Sequence, residues 1–155
     1  PDFYDLDYTK CNITELLHHY FAEMLEMVKW GRFDSLAHLT YPWRYTHGDH
    51  NHLEISYRPY QKEIDAVLLE LIRQGKSLEV NTSGLRQCIG VTIPDQPILR
   101  RYRELGGKRL TLGSDAHRWG DVGSGIEDGL HMLEKLGFTH FAVYIAHKPE
   151  MYPIS

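Results

Sequence analysis

Segments with the 3.6-residue apolar period of a helix alternate along this chain with short apolar runs of strand type, four of each. Ile13, Leu16, Leu17, Tyr20, Phe21, Met24, Leu25 and Val28 mark the first helix, with Asn12 and Glu15 as its capping pair and Gly31 to close it. Ile64, Val67, Leu68, Leu71 and Ile72 mark a second, ending at Gly75. A third begins near Pro97 and runs through Leu99, Tyr102 and Leu105 to Gly106-Gly107; a fourth opens on the box Ser124-x-x-Glu127 and closes at Gly137. Between them the strand pattern falls at 34–39, 77–81, 109–112 and 139–145. Strands separated by helices pair side by side, so the alternation predicts parallel βα units rather than hairpins.

Four parallel strands allow either a small open α/β sheet or half of a β/α barrel. The chain opens at Pro1 directly into an aromatic, acidic stretch, which favours the second and reads as an excerpt from a longer protein. With 155 residues, 42% apolar and 25% charged, it is long enough for one domain with a real core. A net charge of −4 without a basic block argues against nucleic acid or an anionic membrane as partner. There is no 18-residue apolar run and no signal peptide. Cys11 and Cys88 lack C-x-x-C spacing and read as reduced thiols of a cytoplasmic protein, with a single disulfide left open.

The chemistry concentrates at the strand ends. The run Leu110-Thr111-Leu112-Gly113-Ser114 delivers Asp115 and His117 two residues apart, so on an extended chain a carboxylate and an imidazole converge on one point. A divalent cation suits that pair; the bland alternative is a turn-capping Asp and a solvated His. The first strand ends near His38 and the second near Asn81-Thr82-Ser83-Gly84, and parallel strands bring these ends to one rim. His38 alone reads more simply as a core histidine, and Asn81 and Ser83 as a turn; Glu79 is left facing either the site or a helix. Arg86 beyond that turn suits a phosphate, because its planar fork matches two oxygens at once. The 40–56 stretch carries His47, His50 and His52, a weaker ligand set in a long connection of the functional or lid type. His18, His19, His131, His140 and His147 read as structural or solvated.

The string Leu112-Gly113-Ser114-Asp115-Ala116-His117, with Asp121-Val122-Gly123 after it, resembles the C-terminal part of the PHP (polymerase and histidinol phosphatase) superfamily. The segments Glu79-Val80-Asn81-Thr82-Ser83-Gly84-Leu85-Arg86, Ala37-His38-Leu39-Thr40-Tyr41-Pro42 and Phe138-Thr139-His140-Phe141 resemble its histidinol-phosphatase branch. The resemblance covers essentially the whole chain. It implies that residues 1–155 are the C-terminal portion of one domain, half of a distorted (β/α)7 TIM-like PHP barrel. It implies His38, Asp115 and His117 as metal ligands, with Asp115 and His117 catalytic and Arg86, Asn81 and Ser83 binding substrate. The implied cofactors are two or three divalent ions, zinc, manganese or iron. The implied reaction is hydrolysis of L-histidinol phosphate in histidine biosynthesis; the rivals are another PHP phosphoesterase on a small phosphorylated metabolite and a non-catalytic barrel fragment. The family's N-terminal His-x-His and its later His and Glu ligands have no counterpart here, so the metal site is expected to be partial, and the fragment to need its N-terminal half or self-association.

Overall fold

The computed structural model describes residues 3–49 and 56–154. Four helices form where the periodicity places them: α1 Ile13–Trp30, α2 Gln61–Gln74, α3 Gln96–Glu104 and α4 Ile126–Lys135. Asn12 Oδ1 accepts from Glu15 N at 3.3 Å and Asn12 Nδ2 reaches Glu15 Oε2 at 3.4 Å, which closes the expected capping pair. At α4 the expected Ser124 cap does not form. Gly125 is the cap instead, at φ +74°, with Thr82 Cβ and Leu85 Cδ1 each 3.1 Å from where a side chain would begin. Ser124 serves through its carbonyl, which accepts from Thr82 Oγ1 at 2.6 Å.

Three strands, β1 Ser35–Leu36, β2 Ser77–Asn81 and β3 Leu110–Gly113, pair in parallel in the order β1-β2-β3. Their register sets Leu36 beside Leu78 and Leu78 beside Leu110, while Glu79 lies beside Thr111 and Asn81 beside Gly113. Period-2 alternation therefore gives this sheet two unlike faces. Leu36, Leu78, Val80 and Leu110 join Leu17, Phe21, Val28, Ile64, Val67, Leu68, Leu71, Ile98 and Leu99 of the helices in one buried core. Burying each such side chain contributes roughly 1.5–3 kcal/mol. The other face is polar: Ser35 Oγ and Thr111 Oγ1 are 2.7 Å apart across β2, and Glu79 and Asn81 share that face.

The fourth strand departs from expectation. It forms, as β4 His140–Ile145, but pairs antiparallel with an unexpected β5 Lys148–Pro153. Ala146 and His147 both take left-handed backbone (φ +49° and +63°), the conformation that closes a tight hairpin. The hairpin reaches the N-terminal ends of the parallel strands. Tyr144 Oη lies 2.9 Å from Ser77 Oγ, and His147 Nδ1 lies 2.7 Å from Asp34 Oδ2, so His147 has the partner that the sequence does not reveal. The first strand is likewise shorter than its pattern, and His38 falls beyond it. No disulfide joins Cys11 and Cys88, and no helix is long and apolar enough to cross a membrane among the described residues.

Candidate active site at the strand ends

The C-terminal ends of the three parallel strands meet in one hydrogen-bonded chain of side chains. Asn81 Oδ1 accepts from Ser83 N at 2.9 Å and from Ser83 Oγ at 2.6 Å. Ser83 Oγ lies 3.3 Å from Asp115 Oδ2, which joins the end of β2 to the end of β3. On the other side, Asn81 Nδ2 donates to Glu79 Oε2 at 3.3 Å, and the same oxygen accepts from His38 N at 2.9 Å. Glu79 thus ties the end of β1 to β2. It comes so close to Gly113 that a Cβ there would sit 2.4 Å from Oε1. Glycine at that position is what lets the carboxylate lie across the sheet.

Two rim residues hold strained backbone. His38 sits at φ +33° and Asp115 at φ +50°, a region that costs a non-glycine residue about 1–2 kcal/mol. The paired bonds around them hold that strain in place, a pattern frequent at functional sites. It also corrects the sequence reading of Asp115 and His117: β3 ends at Gly113, so their relation comes from a left-handed turn rather than from strand alternation. His117 Nδ1 lies 3.0 Å from the Asp115 carbonyl and 3.8 Å from Asp115 Oδ1. A carbonyl only accepts, so Nδ1 donates in this contact, and Nε2 of the exposed ring is left clear of it. His38 Nδ1 is buried and has no hydrogen-bond partner among the described residues, which a native structure rarely leaves unexplained.

Two groups enter the site that sequence reasoning undervalued. Arg44 opens a π-helical turn, Arg44–Asp49, a distortion frequent where chains do chemistry. Its Nη2 donates to Ser83 Oγ at 3.0 Å and lies 3.5 Å from Asp115 Oδ2, and its guanidinium stacks 5.3 Å from the Tyr41 ring centre. Nothing in the pattern around Arg44 marks it. Glu79 had a signal: it stands two residues before Asn81 on a strand and so must share its face. Arg86 is placed differently from a free phosphate clamp. Its Nη1 donates to the Ser114 carbonyl at 2.7 Å and its Nη2 to the Asp115 carbonyl at 2.9 Å, so it holds the turn that presents Asp115.

His38, Asp115 and His117 are suitable donors for a divalent cation. Yet no three of His, Cys, Asp and Glu converge as a metal-holding group among the described residues. The donors fit in kind and fall short in number. His50 and His52 lie outside the described residues.

No family model matches the chain. Among curated proteins it is 36% identical over 129 residues to the "Probable histidinol-phosphatase" of Thermotoga maritima, covering 83% of this chain and 52% of that protein. It is 35% identical over 124 residues to the like-named protein of Clostridium acetobutylicum, covering 77% and 46%. The chain thus spans about half the length of the curated relatives it matches. The crystal structure of histidinol phosphate phosphatase from Lactococcus lactis, complexed with zinc, L-histidinol and phosphate, superposes with a TM-score of 0.75 at 24% identity. That match covers 92% of this chain and 54% of the other, and supports the α/β fold with its parallel sheet.

Proposed function

We propose, proceeding from this similarity to histidinol-phosphatases, that the chain is the C-terminal half of a distorted (β/α)7 PHP barrel that hydrolyses L-histidinol phosphate to L-histidinol and phosphate. The observation that carries the reading is the rim network from His38 through Glu79, Asn81 and Ser83 to Asp115, which makes one site from three strand ends. His38, Asp115 and His117 are this chain's contribution to a site for two or three divalent ions, with zinc, manganese and iron all compatible with the donors. The remaining donors come from the part of the relatives' length that the chain does not match. Bound ions of this kind lower the pKa of water and neutralise phosphoryl charge.

The chain's own residues do the rest. Asp115, its side chain 27% exposed and held by Ser83 and Arg44, accepts a proton from the attacking water. Arg44 holds that carboxylate in place and faces the phosphoryl oxygens as a fixed cation. Arg86 fixes the Asp115 turn through two carbonyls and offers its remaining N–H groups, with Asn81 and Ser83, to the phosphate.

Phosphate release from L-histidinol phosphate, measured beside a panel of sugar and nucleotide monophosphates, tests the reading. Preference for L-histidinol phosphate is expected, with Asp115→Ala in the full-length protein losing metal and about 10³-fold in turnover. Equal turnover across the panel would point to a different PHP phosphoesterase; an Asp115→Ala protein with full activity and metal would sink the assignment. The absence of a three-donor group among the described residues favours one second reading, a half-site inactive in isolation. The 155-residue chain alone, supplied with zinc or manganese, should then release no phosphate.

A further inference from the structure

The other end of the sheet holds a cleft that the rim chemistry does not use. The α3–β3 loop, the α4–β4 loop and the hairpin border an open cleft of about 850 Å³ there, within the size range of small-molecule sites. Arg100, Arg103 and Lys108 line it, and Phe138 and Met151 form its apolar side. The single carboxylate on the wall, Glu104, is engaged by Arg101 Nη1 at 3.3 Å. Arg100, Arg103 and Lys108 make no ion pair with a carboxylate among the described residues. Three uncompensated cations thus gather in a chain whose net charge is −4.

Compensation of the helix dipole explains only part of this. Cations suit the last turn of α3, but Arg101 already stands there, bound to Asp65 at 2.8 and 2.9 Å. Lys108 lies beyond the helix, past Gly106-Gly107. Arg103 brings its guanidinium over Gly137 in the same wall, where a Cβ would meet Cζ and Nη2 at 2.8 Å each.

We propose that this cleft is a second binding site, for an organic phosphate whose oxygens sit on Arg100, Arg103 and Lys108 and whose flat apolar part lies on Phe138 and Met151. Two guanidinium forks and an ammonium match a multiply charged phosphate better than a single carboxylate. The site is independent of the catalytic reading, since it lies beyond the N-terminal end of β3 while Asp115 lies past its C-terminal end.

ATP and inorganic pyrophosphate, titrated calorimetrically into the protein with EDTA present and salt near about 0.1 M, test it. ATP should bind, pyrophosphate more weakly, and R100E/K108E, a change of two exposed side chains, should weaken ATP by about ten-fold or more. Asp115→Ala should leave ATP binding unchanged. No heat at about 5 mM ATP, unchanged affinity in R100E/K108E, or loss of binding in Asp115→Ala would each overturn the site. A poly-glutamate peptide that binds the cleft more tightly than ATP would overturn it too, in favour of an acidic polypeptide.

Discussion

Strands β2 and β4 both come after a helix and both read as apolar strand segments, yet they end in opposite roles. β2 alternates Leu78 and Val80, buried against the helices, with Ser77, Glu79 and Asn81 on the polar face, and has a parallel neighbour on each side. β4 buries Ala142 but leaves Val143 at 41% and Ile145 at 53% exposed, and its ladder partner is its own hairpin mate. The connection leaving each strand decides between them. β2 leads into a helical crossover to β3, whereas Ala146-His147 turns β4 straight back. Chemistry obeys the same division: the strand whose end meets other strand ends carries Glu79 and Asn81, and the hairpin carries none of the rim.

Substitutions in β2 should therefore have the largest effects. Leu78 is fully buried between Leu36 and Leu110, so Leu78→Ala should cost about 2–5 kcal/mol, read as a fall in the denaturation midpoint at constant slope. A loss below about 1 kcal/mol would mean that the sheet core collapses around the gap, and the contrast with β4 would weaken. Next comes Glu79→Gln. The amide fills the same space and its one oxygen can still accept from His38 N and Asn81 Nδ2, but the negative charge at the rim is gone and an NH2 replaces the carboxylate oxygen beside Gly113. On the proposed reading, turnover should fall by about 10²-fold, or about 3 kcal/mol in the barrier, with little change in the unfolding midpoint. Equal losses of stability and activity would show Glu79 to be a structural brace rather than part of the site.

The helices were legible because their apolar period is strong, with a matching cap pair at α1; the cap expected at Ser124 was missed where Gly125 took a left-handed conformation against Thr82. The rim was legible in its residues and not in its geometry. Asp115 and His117 follow the end of β3, but a left-handed turn relates them. Arg44 reaches Asp115 across 71 residues of sequence, and a contact of that range leaves no local trace. β5 was hidden by its own composition: Lys148-Pro149-Glu150 and Pro153 carry little strand signal, and the hairpin tolerates them because it is an edge.

Beside β2, one buried carboxyl gives a pH-dependent test. The chain leaving β2 returns to bridge Asn81 with Ile93, N to O at 3.0 and 2.9 Å, and so buries Asp95 at the start of α3. Desolvation pushes the Asp95 carboxyl up to about 6, against the pull of the Ile98 and Asp95 backbone N–H groups. A raised carboxyl favours the protonated form in the folded state. The wild type is therefore penalised as pH rises from the ordinary value near 3.8 through about 6, and the penalty is complete above that. Asp95→Asn keeps the side-chain shape and a residue type suited to the N-cap position, and removes the charge. It should match the wild type near about pH 4 and be more stable by about 2 kcal/mol at about pH 8, with the gain appearing between those values. A gain independent of pH would mean that Asp95 is not the group that titrates.

The smallest effect belongs to the outer face of the hairpin. Val143 shares that face with Phe141, Ile145 and Tyr152, the two rings lying 6.0 Å apart, and Val143 stands opposite Glu150. Val143→Thr keeps the β-branch that the strand favours and exchanges a methyl for a hydroxyl that water can reach. On an exposed face the change should stay within about 0.5 kcal/mol. The same substitution on the buried face of β2, Val80→Thr, places a hydroxyl in the helix-packed core and should cost about 1–3 kcal/mol. If Val143→Thr proves as costly as Val80→Thr in the full-length protein, the hairpin face is covered there by further chain. In that case β4 would be a core strand after all, distinguished from β2 by what lies against it rather than by its own sequence.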